Sequence, residues 1–183
     1  MKQKAVFIDR DGTLIEEVNF LHRVEDLRYF SFTDESVRLL KENGFLVVLV
    51  TNQSGIGRGI YTVDDMNSVH EQIQTDLTEK LDAIYFCPHL PDGDCECRKP
   101  RLGMIRAALA DLPIDLEDSW MIGDKNLDVE LGLNAGIKPI MVMTGYGEKH
   151  FPELERPPFA VADNLLEAVK IVLDDNQHAE QSV

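Results

Sequence analysis

The chain has 183 residues, which is enough for one domain with its own hydrophobic core and too few for two full domains. Hydrophobic residues make up 44% of the chain and charged residues 28%, a balance that excludes an intrinsically disordered chain and a membrane-embedded one. The formal net charge of -15 disfavours non-specific binding to nucleic acid or to an anionic membrane surface.

Short β-rich runs alternate with helical patterns along the chain. The apolar run FLVVLV at 45–50 contains no polar residue, which is typical of a strand buried on both faces of a parallel sheet. Gly44 and Gly136 each follow a helical pattern and predict where those helices end. In chain order, the predicted elements are strand 5–8, helix 35–44, strand 45–50, helix 63–80, strand 83–87, helix 104–112, strand 119–122, helix 126–136, strand 140–144 and helix 165–175.

This alternation predicts a single α/β domain over residues 1–175, with a doubly wound, mostly parallel sheet. Residues 176–183 are expected to form a disordered tail. In such a fold ligands bind outside the carboxyl ends of the strands, so the polar residues at those ends are the first candidates for a functional site. These residues are Asp9, Thr51, Cys87, Asp124 and Thr144.

Asp9 and Asp11 follow the first predicted strand directly. Extended geometry directs both side chains to the same side, where two carboxylates repel each other unless a cation holds them. Mg²⁺, which prefers oxygen ligands, is the usual cation at such a site. One carboxylate can then attack phosphorus while the other handles protons. The alternative is a polar turn, because Asp11-Gly12 is also a common turn signal.

Three later segments suit a phosphoryl ligand and its metal: a donor-rich loop, a lysine ahead of a predicted helix and a carboxylate at a strand end. In order they are Thr51 with Asn52, Gln53 and Ser54, then Lys99, then Asp124 as a candidate Mg²⁺ ligand. Asp128, one helical turn after Asp124, is placed to orient Lys125 or a metal-bound water. Taken singly, a turn, a solvated Arg-Lys pair and a helix cap would explain these segments.

All the cysteines of the chain cluster in one short segment together with a histidine. Three thiolates and an imidazole form the closed tetrahedral set that structural Zn²⁺ prefers, and the predicted ligands are Cys87, His89, Cys95 and Cys97. A bound metal would fix Arg98 and Lys99, which follow directly, at the rim of the site. The alternative is a group of free buried cysteines beside a surface histidine.

The basic residues of this acidic chain concentrate in loops, which favours a small anionic ligand over a macromolecule. Arg10, directly after Asp9, is a candidate for binding that anion. The apolar stretch before Asp9 is too short for the central region of a signal peptide. We therefore expect a cytoplasmic protein that acts as a monomer, without a nucleic-acid or membrane partner.

The segments DRDGT, TNQSG, CRKP and GDKNLD occur in this order on the alternating α/β pattern, and together they resemble the haloacid dehalogenase superfamily of phosphatases. The resemblance implies that Asp9 is the nucleophile, that Asp11 is the general acid and base, and that Thr51 and Lys99 stabilise the phosphoryl group. It also implies that Asp9, the backbone carbonyl of Asp11 and Asp124 hold a catalytic Mg²⁺.

Within the superfamily, these motifs and the zinc loop CPHLPDGDCECRKP resemble the heptose-1,7-bisphosphate 7-phosphatases, with histidinol-phosphate phosphatases as near relatives. NQSGIGRGIYT, PRLGM, TGYG and the loop NFLHRVEDL favour the heptose branch, although Phe20 stands where that branch has Tyr. The spans between motifs leave no room for a separate cap domain, so loops should select a small sugar phosphate. The resemblance places Glu17, Val18, Asn19, Phe20, Asn52, Gln53, Ser54 and Arg98 against the substrate.

Three alternatives remain open at this level. A histidinol-phosphate phosphatase would share the motifs and the zinc loop. A phospho-acceptor receiver domain is also α/β with an aspartate at a strand end, but it would not explain Asp11 or the zinc loop. A phosphotransferase or mutase would use the same nucleophile, but it usually needs a cap that excludes water.

Overall fold

The structure, a computed structural model that describes residues 2–180, contains one six-stranded sheet in the order β3-β2-β1-β4-β5-β6. All five strand pairs are parallel, as the uninterrupted apolar runs predict. The strands are β1 Gln3–Ile8, β2 Leu46–Asn52, β3 Ala83–Cys87, β4 Ile114–Gly123, β5 Lys138–Val142 and β6 Ala160–Ala162.

The helices connect successive strands and cover both faces of the sheet, which confirms the doubly wound α/β class. They are α1 Thr33–Glu42, α2 Ser54–Gly57, α3 Val63–Asp76, α4 Gly103–Asp111, α5 Asn126–Ala135, α6 Gly147–His150 and α7 Leu165–Glu180. Two 3-10 turns lie at Val24–Asp26 and Phe151–Glu153. Within residues 2–180, none of the helices combines the length and the apolar composition needed to cross a membrane.

The hydrophobic core lies on both sides of the sheet because successive residues of a strand point to opposite faces. Val6 and Ile8 pack on one side with residues of α1, α3 and α7, whereas Ala5 and Phe7 pack on the other side with residues of α4 and α5. Every one of these four β1 side chains is fully buried. The first strand is therefore held rigidly at the centre of the sheet, directly ahead of Asp9.

Helix α3 begins where the sequence predicts and ends earlier. Thr62 and Asp65 form a reciprocal capping box at its start. Leu77 then adopts an extended conformation, so the helix stops at Asp76 rather than at residue 80. Gln74 Nε2 donates to the carbonyl of Leu81 at 2.9 Å, and Gln74 Oε1 accepts the backbone N-H of Leu81 at 3.0 Å. The two hydrogen bonds stabilise the turn that replaces the last predicted helical turn.

The expectation of a disordered tail from residue 176 is wrong for residues 176–180, because α7 continues to Glu180. The side-chain oxygen of Asn176 accepts a hydrogen bond from the amino group of Lys4 in β1, which ties this part of the helix to the sheet. Residues 181–183 of the predicted tail lie outside the described residues. The short edge strand β6 is also absent from the prediction, since three residues carry too little periodicity to identify it.

Candidate active site

The three central strands β2, β1 and β4 are neighbours and end at the same edge of the sheet. Thr51 is the second-to-last residue of β2, and Asp9 and Asp124 immediately follow β1 and β4. The backbone N-H of Asp9 donates to the carbonyl of Ile122 at 3.0 Å, so Asp9 is fixed to the end of β4. All three predicted site residues are buried, and the parallel topology brings them together as predicted.

Lys99 reaches this edge from the loop ahead of α4. Its Nζ lies 2.8 Å from Asp9 Oδ1 and 2.7 Å from Asp128 Oδ1, and it donates to the carbonyl of Val50 at 2.9 Å. Burial alone would lower the pKa of Lys99, but the carboxylates of Asp128 and Asp9 raise it above its ordinary value. Lys99 is therefore a permanent cation at the centre of the site.

Asp9 is the carboxylate that this cation keeps ionised. Burial would raise the pKa of Asp9, but Lys99 and then Lys125 outweigh it and hold the pKa below the ordinary value. The backbone N-H of Arg10 also donates to Asp9 Oδ1 at 2.8 Å. An ionised, desolvated and fixed carboxylate is suited to act as a nucleophile.

Asp124 provides the observation that tests for a divalent cation. Its Oδ2 accepts the backbone N-H of Tyr146 at 2.7 Å, whereas its buried Oδ1 has no hydrogen-bond partner within residues 2–180. Burial raises the pKa of Asp124 to about 8, with Asp9 and Asp128 contributing and Lys125 opposing. Carboxylate oxygens of Asp9, Asp124 and Asp128 lie within 4.8 Å of one another, so this all-oxygen set fits a hard cation such as Mg²⁺.

Gly12 allows the close packing of the chain around Asp124. Its φ is +84°, and a Cβ at this position would lie 2.3 Å from Asp124 Oδ2. The hydroxyl of Thr144, after β5, donates to the Gly12 carbonyl at 2.6 Å and fixes this turn. The turn at Asp11-Gly12 is therefore part of the site, because it allows the chain to pack closely against Asp124.

Asp11 forms its side-chain hydrogen bonds with residues outside the carboxylate cluster. Its Oδ1 accepts hydrogen bonds from Arg10 Nε at 3.1 Å and Arg10 Nη2 at 2.9 Å, and its Oδ2 accepts one from Gln53 Nε2 at 2.8 Å. The two aspartates therefore have separate sets of partners. The predicted Mg²⁺ contact through the backbone carbonyl of Asp11 stays a prediction.

Arg10 and Gln53 were predicted to bind substrate, but their polar groups pair with protein. The Arg10 side chain is 1% exposed. Its Nη2 also donates to Gln53 Oε1 at 3.1 Å, and that oxygen accepts the hydroxyl of Tyr61 as well. Gln53 Nε2 donates to Thr51 Oγ1 at 2.8 Å in addition to Asp11. Through these contacts Arg10 and Gln53 support Asp11. Both residues also line the cleft beside it, and their contact with substrate stays a prediction.

A cleft opens beside Asp11, and most of the predicted substrate residues line it. They are Arg10, Glu17, Val18, Asn19, Phe20, Asn52, Gln53 and Ser54. Arg98 lines a different cleft, which it shares with Lys99 and Arg101, and its guanidinium donates to the carbonyl of His89 at 3.3 Å. The structure thus separates the predicted substrate residues into two neighbouring clefts.

Lys125, Tyr61 and Tyr146 also line the first cleft and are missing from the predicted substrate set. Lys125 Nζ lies 3.6 Å from Glu17, 3.8 Å from Asp9 and 3.7 Å from Asp124. The position of Lys125 directly after Asp124 in the sequence indicated that it lies near the site. Tyr61 and Tyr146 lie in the segments NQSGIGRGIYT and TGYG, which favoured the heptose branch, but only the folded chain places the two tyrosines in the cleft.

The predicted zinc ligands converge on one point after β3. Cys87 Sγ lies 3.5 Å from His89 Nδ1 and 3.7 Å from Cys95 Sγ, and His89 Nδ1 lies 3.2 Å from Cys97 Sγ. Tetrahedral Zn²⁺ with bonds of about 2.3 Å to sulfur separates its thiolates by a little under 4 Å. The four side chains therefore fit a closed zinc site, and the three cysteines form no disulfide.

Comparison with known proteins agrees with this geometry. The HAD-hydrolase-like family model matches residues 96–168. The chain is 40% identical over 156 residues to the D-glycero-beta-D-manno-heptose-1,7-bisphosphate 7-phosphatase of Haemophilus ducreyi, an alignment that covers 79% of the chain and 86% of that protein. The chain belongs to the heptose-1,7-bisphosphate 7-phosphatase family of haloacid dehalogenase-like hydrolases.

Two further matches extend this result over almost the whole chain. The corresponding 7-phosphatase of Thermosynechococcus vestitus is 38% identical over 188 residues, covering 93% of this chain and 95% of that one. The crystal structure of D,D-heptose 1,7-bisphosphate phosphatase from B. bronchiseptica, complexed with magnesium and phosphate, superposes with a TM-score of 0.86. That structure is 29% identical and covers 94% of this chain and 99% of its own.

His70 supplies a pH test of the packing around the site. Burial and then the Arg10 guanidinium lower its pKa from 6.5 to about 3, so the folded chain keeps His70 neutral where the unfolded chain protonates it. His70 should therefore contribute full stability above pH 6.5 and lose it as the pH falls towards 3, by about 1.4 kcal/mol per unit, or about 2 kcal/mol at pH 5.

Urea unfolding at pH 7 and pH 5 measures this contribution. The free energy of unfolding should fall more for the unaltered chain than for His70→Gln, because the amide does not titrate. Equal losses in both proteins would show that His70 is not held neutral.

Proposed function

We propose that this protein is a Mg²⁺-dependent phosphatase that removes the 7-phosphate of D-glycero-D-manno-heptose 1,7-bisphosphate in the biosynthesis of nucleotide-activated heptose for lipopolysaccharide or another surface glycan. The observation that carries the phosphatase function is the buried Lys99 between Asp9 and Asp128. It keeps the nucleophile ionised and places a cation where a phosphoryl group must approach. The substrate rests on the family, whose members in many species are named for this bisphosphate.

The reaction needs two displacements at phosphorus. In the first, an Asp9 carboxylate oxygen attacks in line, the bond from phosphorus to the sugar oxygen breaks, and Asp11 transfers its proton to that oxygen. In the second, Asp11 takes a proton from water, whose oxygen attacks phosphorus and releases Asp9. Lys99 and Thr51 stabilise the phosphoryl oxygens, and Mg²⁺ held by Asp9 and Asp124 would neutralise their developing charge.

The second cleft offers a place for the distal phosphate. Arg98 and Arg101 line it beside Lys99, so a bisphosphate bound across both clefts would meet cations at each end. Histidinol phosphate has no second phosphate, and the names of the similar proteins favour the heptose substrate over it. The relatives' names include both the beta and the alpha anomer, and either places the reacting phosphate at the same end of the sugar.

The zinc site has a mechanical function in this proposal. Arg98 and Lys99 directly follow Cys97, so a metal bound by the four ligands would hold both cations in position. Fixing them before binding lowers the entropy cost of holding an anion. The protein would act as a cytoplasmic monomer on a small sugar phosphate.

Asp9→Asn should abolish turnover and leave the fold intact, because an amide does not attack phosphorus. Asp11→Asn should lower turnover by a factor of about 10² to 10⁴, the usual contribution of general acid and base catalysis. Steady-state assays with the bisphosphate and circular dichroism measure both effects. Full activity of a pure Asp9→Asn protein, free of deamidation, would contradict the mechanism.

Purified protein should contain about one zinc per chain, bound by the closed set of four protein ligands. Elemental analysis measures it, and a chelator should lower the melting temperature. Cys97→Ser should reduce the zinc content, whereas Asp124→Asn, which alters only the proposed Mg²⁺ site, should retain it. A zinc content below about a tenth of an equivalent in protein made with adequate zinc would refute the site.

Arg98→Ala should reduce kcat/KM for the bisphosphate by about tenfold to a hundredfold, the effect of losing a charge-assisted hydrogen bond of about 1.5 to 3 kcal/mol. The loss with p-nitrophenyl phosphate, which has no distal phosphate, should be much smaller. Arg106→Ala is the matched control, because its exposed side chain pairs only weakly with Glu96 at 3.4 Å. Equal losses on both substrates would place Arg98 at the reacting phosphate.

A direct comparison of heptose 1,7-bisphosphate with histidinol phosphate tests the substrate assignment. We expect a higher kcat/KM for the bisphosphate. Better hydrolysis of histidinol phosphate would overturn the substrate while leaving the phosphatase function in place.

A further inference from the structure

His70 is a buried histidine that the phosphoryl-transfer steps do not use. It lies on α3, is 6% exposed, and points its Nε2 at Arg10 Nη1 over 3.1 Å. Because arginine has only donors, Nε2 must accept this hydrogen bond, and His70 is then neutral with its proton on Nδ1. The low pKa of His70 agrees with this assignment.

Arg10 uses its remaining donors on the groups that hold the proton-handling carboxylate. Nε and Nη2 contact Asp11, and Nη2 also reaches Gln53 Oε1. A planar guanidinium cannot turn without breaking these contacts together. Since Nη1 lies at the far corner of the same plane, an acceptor there fixes the orientation of the whole group.

We propose that His70 is a positioning residue: it orients the Arg10 guanidinium, which in turn holds the Asp11 carboxylate in the position from which it exchanges protons with the leaving group and water. This inference rests on the proposed role of Asp11 as general acid and base. His70 does not touch the substrate, and its effect passes through Arg10. Without the acceptor, a buried donor of Arg10 is left unpaired, which favours a shift of the guanidinium towards another acceptor at the expense of its contacts with Asp11.

The two phosphate esters separate this role from a merely structural one. A sugar alkoxide needs a proton as it leaves, whereas p-nitrophenolate leaves readily without one. A displaced Asp11 therefore slows the first displacement more for a sugar phosphate than for p-nitrophenyl phosphate, whereas the second displacement is common to both esters. A general loss of stability would lower both rates by the same factor.

The experiment compares kcat/KM, which reports the first displacement, for both esters in the complete chain with His70→Leu, which removes the acceptor, and His70→Gln, which retains one. We expect His70→Leu to lower kcat/KM for the sugar phosphate about tenfold more than for p-nitrophenyl phosphate. His70→Gln should restore most of this difference. Val69→Ala creates a cavity on the same buried face of α3 and controls for destabilisation. It should lower kcat/KM for both esters by the same factor.

Chemical rescue provides a second test that does not require the leucine variant to fold. His70 also lines a cleft between α3 and β3, together with Asn67 and Phe86, through which a small molecule could reach its position. In His70→Ala, added imidazole should restore the sugar-phosphate rate because it supplies a ring nitrogen that accepts. Pyrrole, of similar shape, supplies only an N-H donor and should not.

Asp11→Asn separates failure of this inference from failure of the proposed function. It should show the same preference for the aryl ester, more strongly. If Asp11→Asn shows no preference, the general acid assignment is wrong and this inference falls with it. If Asp11→Asn shows the preference but the His70 variants slow both esters equally or neither, only the role of His70 is overturned. Any sugar phosphate that the unaltered chain hydrolyses can serve, so the test does not depend on the heptose assignment.

Discussion

The buried ion pairs of Lys99 with Asp9 and Asp128 are the interaction on which the rest of the site depends. Asp9 and Asp124 stand at adjacent strand ends and Asp128 lies in the first turn of α5, and these three carboxylates would repel one another in an environment from which water is excluded. Lys99 offsets that repulsion and holds the pKa of Asp9 low, whereas burial keeps the pKa of Asp128 raised despite its contact with Lys99. Burial raises the pKa of Asp124 to about 8, and Asp124 Oδ1 has no hydrogen-bond partner within residues 2–180.

The second organising feature is the separation of Asp9 and Asp11 into different surroundings. Asp9 belongs to the cluster with Lys99 and Lys125, whereas Asp11 belongs to the network of Arg10 and Gln53. A nucleophile needs to stay ionised, and a general acid and base needs to gain and lose a proton. Two carboxylates one residue apart meet both needs because the intervening Arg10 turns inward to the second of them.

The sequence predicted the central elements of the fold because their apolar runs are long and uninterrupted. The convergence of Asp9, Thr51 and Asp124 followed from parallel topology alone, since neighbouring strands end at one edge. The contact of the Arg10 side chain with His70, sixty residues away along the chain, could not be predicted from the sequence, because only the folded chain brings α3 to the first strand end. The helical residues 176–180 were missed because their anchor, Lys4, lies at the opposite end of the sequence.

The covalent intermediate on Asp9 is the central claim, and trapping it tests the account most directly. Protein quenched with acid during turnover of the bisphosphate can be treated with borohydride, which reduces an acyl phosphate to an alcohol and so converts the aspartate to homoserine. Mass spectrometry of the digest should find homoserine at position 9 alone. Asp11→Asn should contain larger amounts when p-nitrophenyl phosphate is the substrate, because its leaving group needs no proton while water attack on the intermediate is slowed. Active protein with no modification at Asp9, or with the phosphoryl group on another side chain, would contradict the account.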